Sequence, residues 1–419
     1  MYVLSVLRLL LIAPENSYRT AAYCGAVQRL GFECFIASAT RYPIPSAGLT
    51  GIALESLCTP DAVSVIATQH KRTPFDGVIG TDDTSVELAA EVAERLGLRG
   101  NTVDSVRAAT RKDLSRKILS RCGIAVPGHR LVELKNRTPN SLDEVAYPCV
   151  CKPTRLSASR GVIRADNPAE LEYALERIEK LLMAEVRDPE LVALIEDYIH
   201  GQEIAVEGLL DDGELTLLAV FDKPNPLNGP YFEETMYVTP SRQNKSILSA
   251  VQNQLAIACR ELGLRWGPIH AECRLNESGS WIIEIACRTI GGRCGQLLES
   301  STGRTLEEII ITNAVGQKAD CRLDVEAAGV MMIPVPGRGG VVRRVEGIGE
   351  AARIPLVSSV EIDVRPGQML VPWPEGCPYP GFIFANGEDP ESVENALNAA
   401  HQQLDIILAP VLPLQVTND

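Results

Sequence analysis

At 419 residues the chain is too long for a single hydrophobic core, so roughly two to four packed lobes are expected. Its composition, 45% hydrophobic and 22% charged with Gly and Pro dispersed, excludes a disordered or low-complexity protein. A formal net charge of −14 opposes non-specific binding to nucleic-acid phosphates or anionic membranes and favours a small-molecule site.

The opening MYVLSVLRLLLIAP has the apolar character of a signal peptide, but Arg8 interrupts it and no small-residue cleavage site follows. A buried first strand is the better reading. No apolar run reaches the roughly 20 residues of a membrane span, so a cytoplasmic protein is expected. Twelve cysteines lack CxxC pairs, and the five histidines do not join them at zinc spacings; they read as reduced thiols.

RLLLIAP, FECFIAS, GIALESL and DGVIGT are strand candidates separated by stretches of helical period, which predicts a doubly wound α/β lobe over residues 1–107. In TDDTSVELAAEVAERLGL, Asp82 to Thr84 offer helix caps, Val86, Ala89, Ala93 and Leu96 share a face, and the Gly97–Gly100 segment ends the helix. A second unit, 108–197, opens with one amphipathic helix in RAATRKDLSRKILSRCGIAVP, closed by Gly123 and Pro127. The strand YPCVCKP follows, with Cys149 and Cys151 as strand residues, then the polar loop TRLSASRGV and the helix NPAELEYALERIEKLL. LIEDYIHGQEIAVEGLL reads as paired strands turning at His200 and Gly201. A third lobe, 198–320, carries the loop PYFEET, a helix from Lys245 to Leu262, the strands IHAECRL and WIIEIAC, and the helix TLEEIIITNAV. Residues 321–419 form a strand-rich closing lobe whose clearest element is the helix ESVENALNAAHQQL. The fold class is thus α/β and α+β in several lobes.

No GxxxxGK[ST] loop is present, and no GxGxxG follows the first strand. Gly347, Gly349 and Ala352 give a degenerate GxGxxA, but Pro355 arrives too soon for a crossover helix. The strongest chemical signal is IHAECRLNESGSWIIEIACR. With its turn in NESGS, pairing about residue 278 sets Glu272 opposite Glu284 on one face, about 5 Å apart at Cβ, where like charges destabilise a sheet. Some cation must compensate. Mg²⁺, which takes hard oxygen ligands, is the simplest choice, and Arg288 falls on the same face. The alternative is a solvent-facing strand with Arg274 or Arg288 neutralising the glutamates.

Lys112 lies on the helix opening the second unit, and Lys152 ends the strand before a loop rich in hydroxyls and backbone N–H groups; both suit phosphate oxygens, the alternative being solvated surface charges. The Glu196–Ile199 backbone offers an adenine edge, and Glu203 offers an acceptor for ribose hydroxyls.

In order, these features resemble the ATP-grasp superfamily, and within it the carboxylate–amine ligases that include bacterial L-amino-acid (dipeptide) ligases. The resemblance covers nearly the whole chain and rests on RKDLSRKILSRCGIAVP, CVCKPTRLSASRGV, IEDYIHGQEIAVEG and GPIHAECRLNESGSWIIEIACRTIGGR. It implies an ATP-grasp fold with a Rossmann-like N-terminal lobe that lacks a dinucleotide fingerprint. It implies Lys112, Lys152, Ser157 and Ser159 as ATP phosphate contacts, Glu196, Asp197, Tyr198 and Ile199 at the adenine, and Glu203 at the ribose. Glu272 and Glu284 would ligate one or two Mg²⁺ ions. Arg288 and Lys152 would be catalytic, and Glu234, His270, Arg288, Gly291 and Gly292 would line the substrate site. GVVRRVEGIGEAARIPLVSSVEIDVRPGQML resembles the C-terminal lobe of those ligases. Ala286 stands where many relatives have Asn, which leaves the second ion in doubt. The implied reaction makes an amide through an acyl phosphate and releases ADP and phosphate, with small-molecule substrates. Loading of a carrier-protein thiol, a purine-type reaction and a non-catalytic nucleotide scaffold are the alternatives, and a homodimer is expected by resemblance alone.

Overall fold

The computed structural model describes residues 6–410 apart from 41–48, 59, 136, 138–141, 143, 186–189, 300–302, 324–325 and 377. The chain forms two compact units with interleaved segments: 1–128, 199–221 and 241–325 make the first, and 129–198, 222–240 and 326–419 the second.

In the first unit, β1 (Arg8–Ile12), β2 (Glu33–Ser38), β3 (Leu49–Ala53) and β4 (Gly77–Gly80) form a parallel sheet in the order β3-β2-β1-β4, at the four runs expected from sequence. Leu9 to Ile12 are fully buried, as a parallel strand covered on both faces requires. The apolar run after Arg8 is therefore a core strand; residues 1–5 of the same run lie outside the described residues. Helices α1 (Arg19–Leu30), α2 (Pro60–Arg72) and α3 (Val86–Leu96) accompany this sheet.

Two local expectations fail here. Ser85, not Asp82 to Thr84, occupies the cap position of α3; its hydroxyl donates to the Asp82 carbonyl at 2.9 Å and accepts from the Asp82 N–H at 3.0 Å. That closed turn leaves the Asp82 and Asp83 carboxylates for other partners. The helix expected after Val106 is two helices, α4 (Val103–Thr110) and α5 (Lys112–Arg121), because Arg111 is extended at φ −92°, ψ 110°. Buried residues recur through the break, Val106 and Ala109 before it and Arg116 and Leu119 after it, so periodicity alone does not reveal the bend.

A second, antiparallel sheet in this unit runs β13-β12-β9-β10, from β9 (Gln202–Asp211), β10 (Glu214–Asp222), β12 (Gly267–Asn276) and β13 (Gly279–Ala286). It shares a core containing Leu119, Val206, Leu255, Ile269 and Ile285 with α4, α5 and α7 (Lys245–Glu261). A 3₁₀ turn (Cys294–Leu298) leads to α8 (Leu306–Ala314), which carries a full capping box at Thr305 and Glu308.

The second unit holds the antiparallel sheet β5-β8-β6-β7, made of β5 (His129–Glu133), β6 (Cys149–Pro153), β7 (Ile163–Ala165) and β8 (Val192–Asp197), with α6 (Pro168–Glu185) packed on it. The hairpin expected across His200 and Gly201 does not form. β8 pairs with β5 and β6, whereas β9 pairs with β12. The same unit contains β11 (Met236–Thr239), β14 (Ala327–Met332), β18 (Gly381–Gly387) and β16 (Val357–Ile362), adjacent in that order, with α10 (Pro390–His401) against them. β15 (Gly340–Glu346), α9 (Ile348–Ala351), β17 (Met369–Leu370) and β19 (Asp405–Leu408) complete it, the three strands pairing as β17-β15-β19. The eleven described cysteines are free. No helix among the described residues is long and apolar enough to cross a membrane.

Gly80 ends β4 just before Thr81, Asp82 and Asp83. A Cβ there would stand 2.7 Å from the Val86 Cα and 2.8 Å from Ser85 backbone atoms, which cannot swing away as a side chain does. Gly80→Ala is expected to destabilise the protein by about 1–3 kcal/mol through overpacking, measured by thermal or urea unfolding. An unchanged midpoint would show that this turn is not the rigid mount described.

Candidate active site

The β12–β13 hairpin brings the two glutamates together. Its turn is tight, with Asn276 opposite Gly279, and uninterrupted pairing from there would set Glu272 against Ile283. A register shift between Glu272 and Cys273 moves the pairing by one residue, and Glu272 faces Glu284 as expected. The cation beside them is Lys112, at the first turn of α5, whose ammonium lies 3.3 Å from Glu284. Arg274 instead pairs with Glu203 at 2.9 Å and donates to the Ile199 carbonyl at 2.8 Å. Arg288 pairs with Asp83, also at 2.9 Å. Glu203 is therefore held as a buried ion-pair partner of Arg274.

Beyond β13 the chain turns through Arg288–Gly292, and charged groups of the same unit hold that turn. Arg288 donates to the Thr289 carbonyl at 2.9 Å. The Ile290 N–H donates to Glu207 Oε2 at 2.9 Å, while its carbonyl accepts from Arg19 at 3.3 Å. Arg19 is fixed by Asp82 at 2.6 Å, and Asp82 also accepts from Ser17 at 2.5 Å and Thr81 at 2.6 Å. His270 lies between two acids, with Nδ1 at 3.8 Å from Glu207 and Nε2 at 3.7 Å from Glu272. Gly292 has φ +61°, a left-handed value that makes glycine the natural occupant.

Burial raises the Asp83 carboxyl, but the charge and hydrogen bond of Arg288, helped by Lys112 and Arg19, outweigh it and hold the group below its ordinary value. Burial would lower Arg288, and the Asp83 charge instead raises it. Glu207 is the opposite case. It is fully buried, and desolvation pushes its carboxyl well above the carboxylate range despite the Ile290 amide.

In the second unit, Lys152 on β6 and Glu196 on β8 are diagonal neighbours, Lys152 opposite Leu194 and Glu196 opposite Val150, and their charges meet at 2.5 Å, each almost fully buried. With Lys112 also buried, the reading of either lysine as a solvated surface charge is removed. Asp197 is exposed at the end of β8. The Tyr198 hydroxyl meets Asn228 at 2.9 Å, and its ring lies under Arg164. Ser157 and Ser159 sit in a loop where Ala158 and Ser159 have positive φ, and the Ala158 carbonyl accepts from the Trp373 indole at 3.0 Å. Glu234 is 2.5 Å from the buried Lys223.

A family model for the ATP-grasp domain matches residues 145–296, and one for the L-amino acid ligase C-terminal domain 2 matches 332–409. This chain is an ATP-grasp ligase. The L-amino acid ligase of Bacillus licheniformis superposes with a TM-score of 0.81 at 25% identity, over 96% of this chain and 99% of that one. Dapdiamide A synthase of Enterobacter agglomerans is 23% identical over 89% of this chain and 90% of its own length. Alanine–anticapsin ligase of Bacillus subtilis is 25% identical over 52% of this chain, which spans about half of that relative's length (49%). The fold is the mixed α/β ATP-grasp fold, and the enzyme class is ATP-dependent carboxylate–amine ligase.

Sequence reading missed much of what holds this ligase's Arg288–Gly292 turn. Asp82 and Asp83 were assigned to a helix cap, and Arg19 sits in an ordinary helix start. Glu207 lies in the strand IAVEGLL, where an acid at a core-facing position was the available signal.

Two outcomes follow for the ATP-grasp ligase. Lys152→Ala removes the cation from a buried carboxylate and is expected to destabilise the protein by about 3–5 kcal/mol. The loss should be strongly non-additive with Glu196→Gln in a double-mutant cycle, and additive losses would show the pair to be incidental. For Glu207, a raised folded pKa means that the folded state holds more protons than the unfolded one between the ordinary carboxylate value and the folded value. Stability from this group is complete below the ordinary value and is lost as pH rises through the folded value. Glu207→Gln keeps the acceptor for Ile290, so its melting temperature should fall less than wild type as pH rises above the ordinary carboxylate range. Parallel curves would contradict a raised Glu207.

Proposed function

We propose that this ATP-grasp ligase joins an amino-acid carboxylate to an amine through an acyl phosphate and releases ADP and phosphate. The observation that carries the reading is the facing pair Glu272 and Glu284, with Lys112 3.3 Å from Glu284, whose strand β13 runs directly into the Arg288–Gly292 turn. Two hard carboxylate donors held against their own repulsion suit Mg²⁺, which would neutralise phosphate charge when bound. Ala286 offers no side-chain donor to a second ion. The relatives described as an L-amino acid ligase, an alanine–anticapsin ligase and a dapdiamide A synthase support amide formation as the reaction type.

In this reading Lys112 and Lys152 are each a phosphate ligand of ATP. Ser157 and Ser159 would close over those phosphates, Glu196 to Ile199 would hold the adenine, and the Glu203 region the ribose. The substrate carboxylate attacks the γ-phosphorus and the bond to ADP breaks; positioning and charge neutralisation supply most of the acceleration. Arg288 stabilises the acyl phosphate, and the N–H groups of the Gly291–Gly292 turn, with His270 and Glu234, line the substrate. The amine then attacks the acyl carbon, phosphate leaves, and the amine proton is lost to solvent. Exclusion of water protects the acyl phosphate meanwhile. A cytoplasmic homodimer is part of the same proposal.

Glu284→Gln tests it. The variant is expected to lose nearly all turnover and to lose the rise in melting temperature that MgATP gives the wild type. Retained activity together with retained MgATP stabilisation would sink the metal assignment. Product analysis by ³¹P NMR should show ADP and phosphate appearing only when an amine is present; AMP and pyrophosphate would replace acyl phosphorylation by adenylation.

A further inference from the structure

Resting on the ligase reading, in which the acyl donor is an amino acid, we infer that Asp83 reads the donor's ammonium group and that Tyr18 screens its side chain. The sequence pattern offers Asp83 only as a helix cap and gives Tyr18 no role.

The argument starts from the substrate's own dimensions. In an α-amino acid the nitrogen lies about 2.5 Å from the carboxyl carbon, as fixed by the N–Cα and Cα–C bonds. An anion next to the cation that reads the carboxylate, or the acyl phosphate made from it, is therefore within reach of the ammonium. Arg288 and Asp83, in contact at 2.9 Å, are such neighbours. The site needs no such anion for a simple carboxylic acid.

The two adjacent aspartates divide the work. Asp82 is committed to Ser17, Thr81 and Arg19, and so fixes the start of α1. Asp83 contacts Arg288 through Oδ2, and its side chain keeps 22% exposure. The reaction's chemistry selects the donor as its ligand: the donor's α-ammonium stays charged throughout, whereas the attacking amine must be neutral.

Tyr18 precedes α1 and is 46% exposed. Its ring lies 4.7 Å under the Arg19 guanidinium, which is itself tied to Asp82 and to the Ile290 carbonyl. Its hydroxyl is 3.8 Å from where a Cβ on Gly291 would stand. A ring held in that place walls the side of the turn beside which a donor side chain would extend.

The test uses hydroxylamine as common acceptor, so that hydroxamate and phosphate report on the donor alone. Alanine and phenylalanine are compared with their deamino analogues, propionate and 3-phenylpropionate. Wild type should favour the amino acids. Asp83→Asn should reduce that preference roughly 10- to 100-fold, with the loss falling on the amino acids. Asp83→Glu should restore part of it. If Asp83 merely orders Arg288, amino and deamino acids fall by one factor and the preference survives, which overturns the inference. Tyr18→Ala should shift the alanine-to-phenylalanine ratio of kcat/KM several-fold towards phenylalanine, and an unchanged ratio removes Tyr18 from specificity. If wild type makes no hydroxamate from any acid, the ligase reading fails separately. Calorimetry of alanine against propionate, on wild type and Asp83→Asn, then decides the ammonium subsite: equal affinities overturn it, and an Asp83-dependent preference for alanine upholds it.

Discussion

Two carboxylates facing each other across adjacent strands repel, and the β12–β13 hairpin holds Glu272 and Glu284 in that arrangement. A sheet selected for stability alone would not keep such a pair. The local geometry is specific as well, because the facing register exists only through the shift at Glu272 and Cys273. A bulge bends its strand and re-aims side chains, so one irregularity both creates the acid pair and sets the path of the chain beyond it. Lys112 relieves part of the repulsion.

Around that pair the first unit places several buried or half-buried charge contacts: Arg274 with Glu203, Arg288 with Asp83, Arg19 with Asp82, and Glu207 against the Ile290 amide. Buried ion pairs are weak contributors to net stability, since desolvation offsets most of the attraction. Their consistent effect is geometric. Each fixes a guanidinium or a peptide group that a flexible side chain or glycine-rich turn would otherwise leave free, and a preorganised polar site loses less energy to reorientation during reaction. The Arg288–Gly292 turn, with two glycines and a left-handed Arg293, depends on such external restraint.

Much of this was legible in the residues themselves. Four apolar runs gave the parallel sheet of the first unit, Glu272 and Glu284 were paired from turn position and strand period, and Lys112 and Lys152 stood out at element ends. The lysines' burial was not legible, because a lysine is solvated in most sequences that carry one in such a position. Nor was the division of LIEDYIHGQEIAVEGLL between two sheets, because a short turn between two apolar runs reads as a hairpin whichever partners the strands finally take.

What the sequence determined by itself was whatever depends on neighbours along the chain: strand and helix periods, the joining of Glu272 and Glu284 in one hairpin, and the absence of phosphate loops of other families. Tertiary structure decided what depends on groups far apart in sequence. Arg288 meets Asp83, Arg19 meets the Ile290 carbonyl, and Glu207 meets the Ile290 amide over separations that no local period encodes. Asp82 and Asp83 show the boundary most clearly. Locally they are helix-capping residues, but Ser85 closes that turn, and only the packing of β4 and α1 near the end of β13 turns two loop carboxylates into parts of the site.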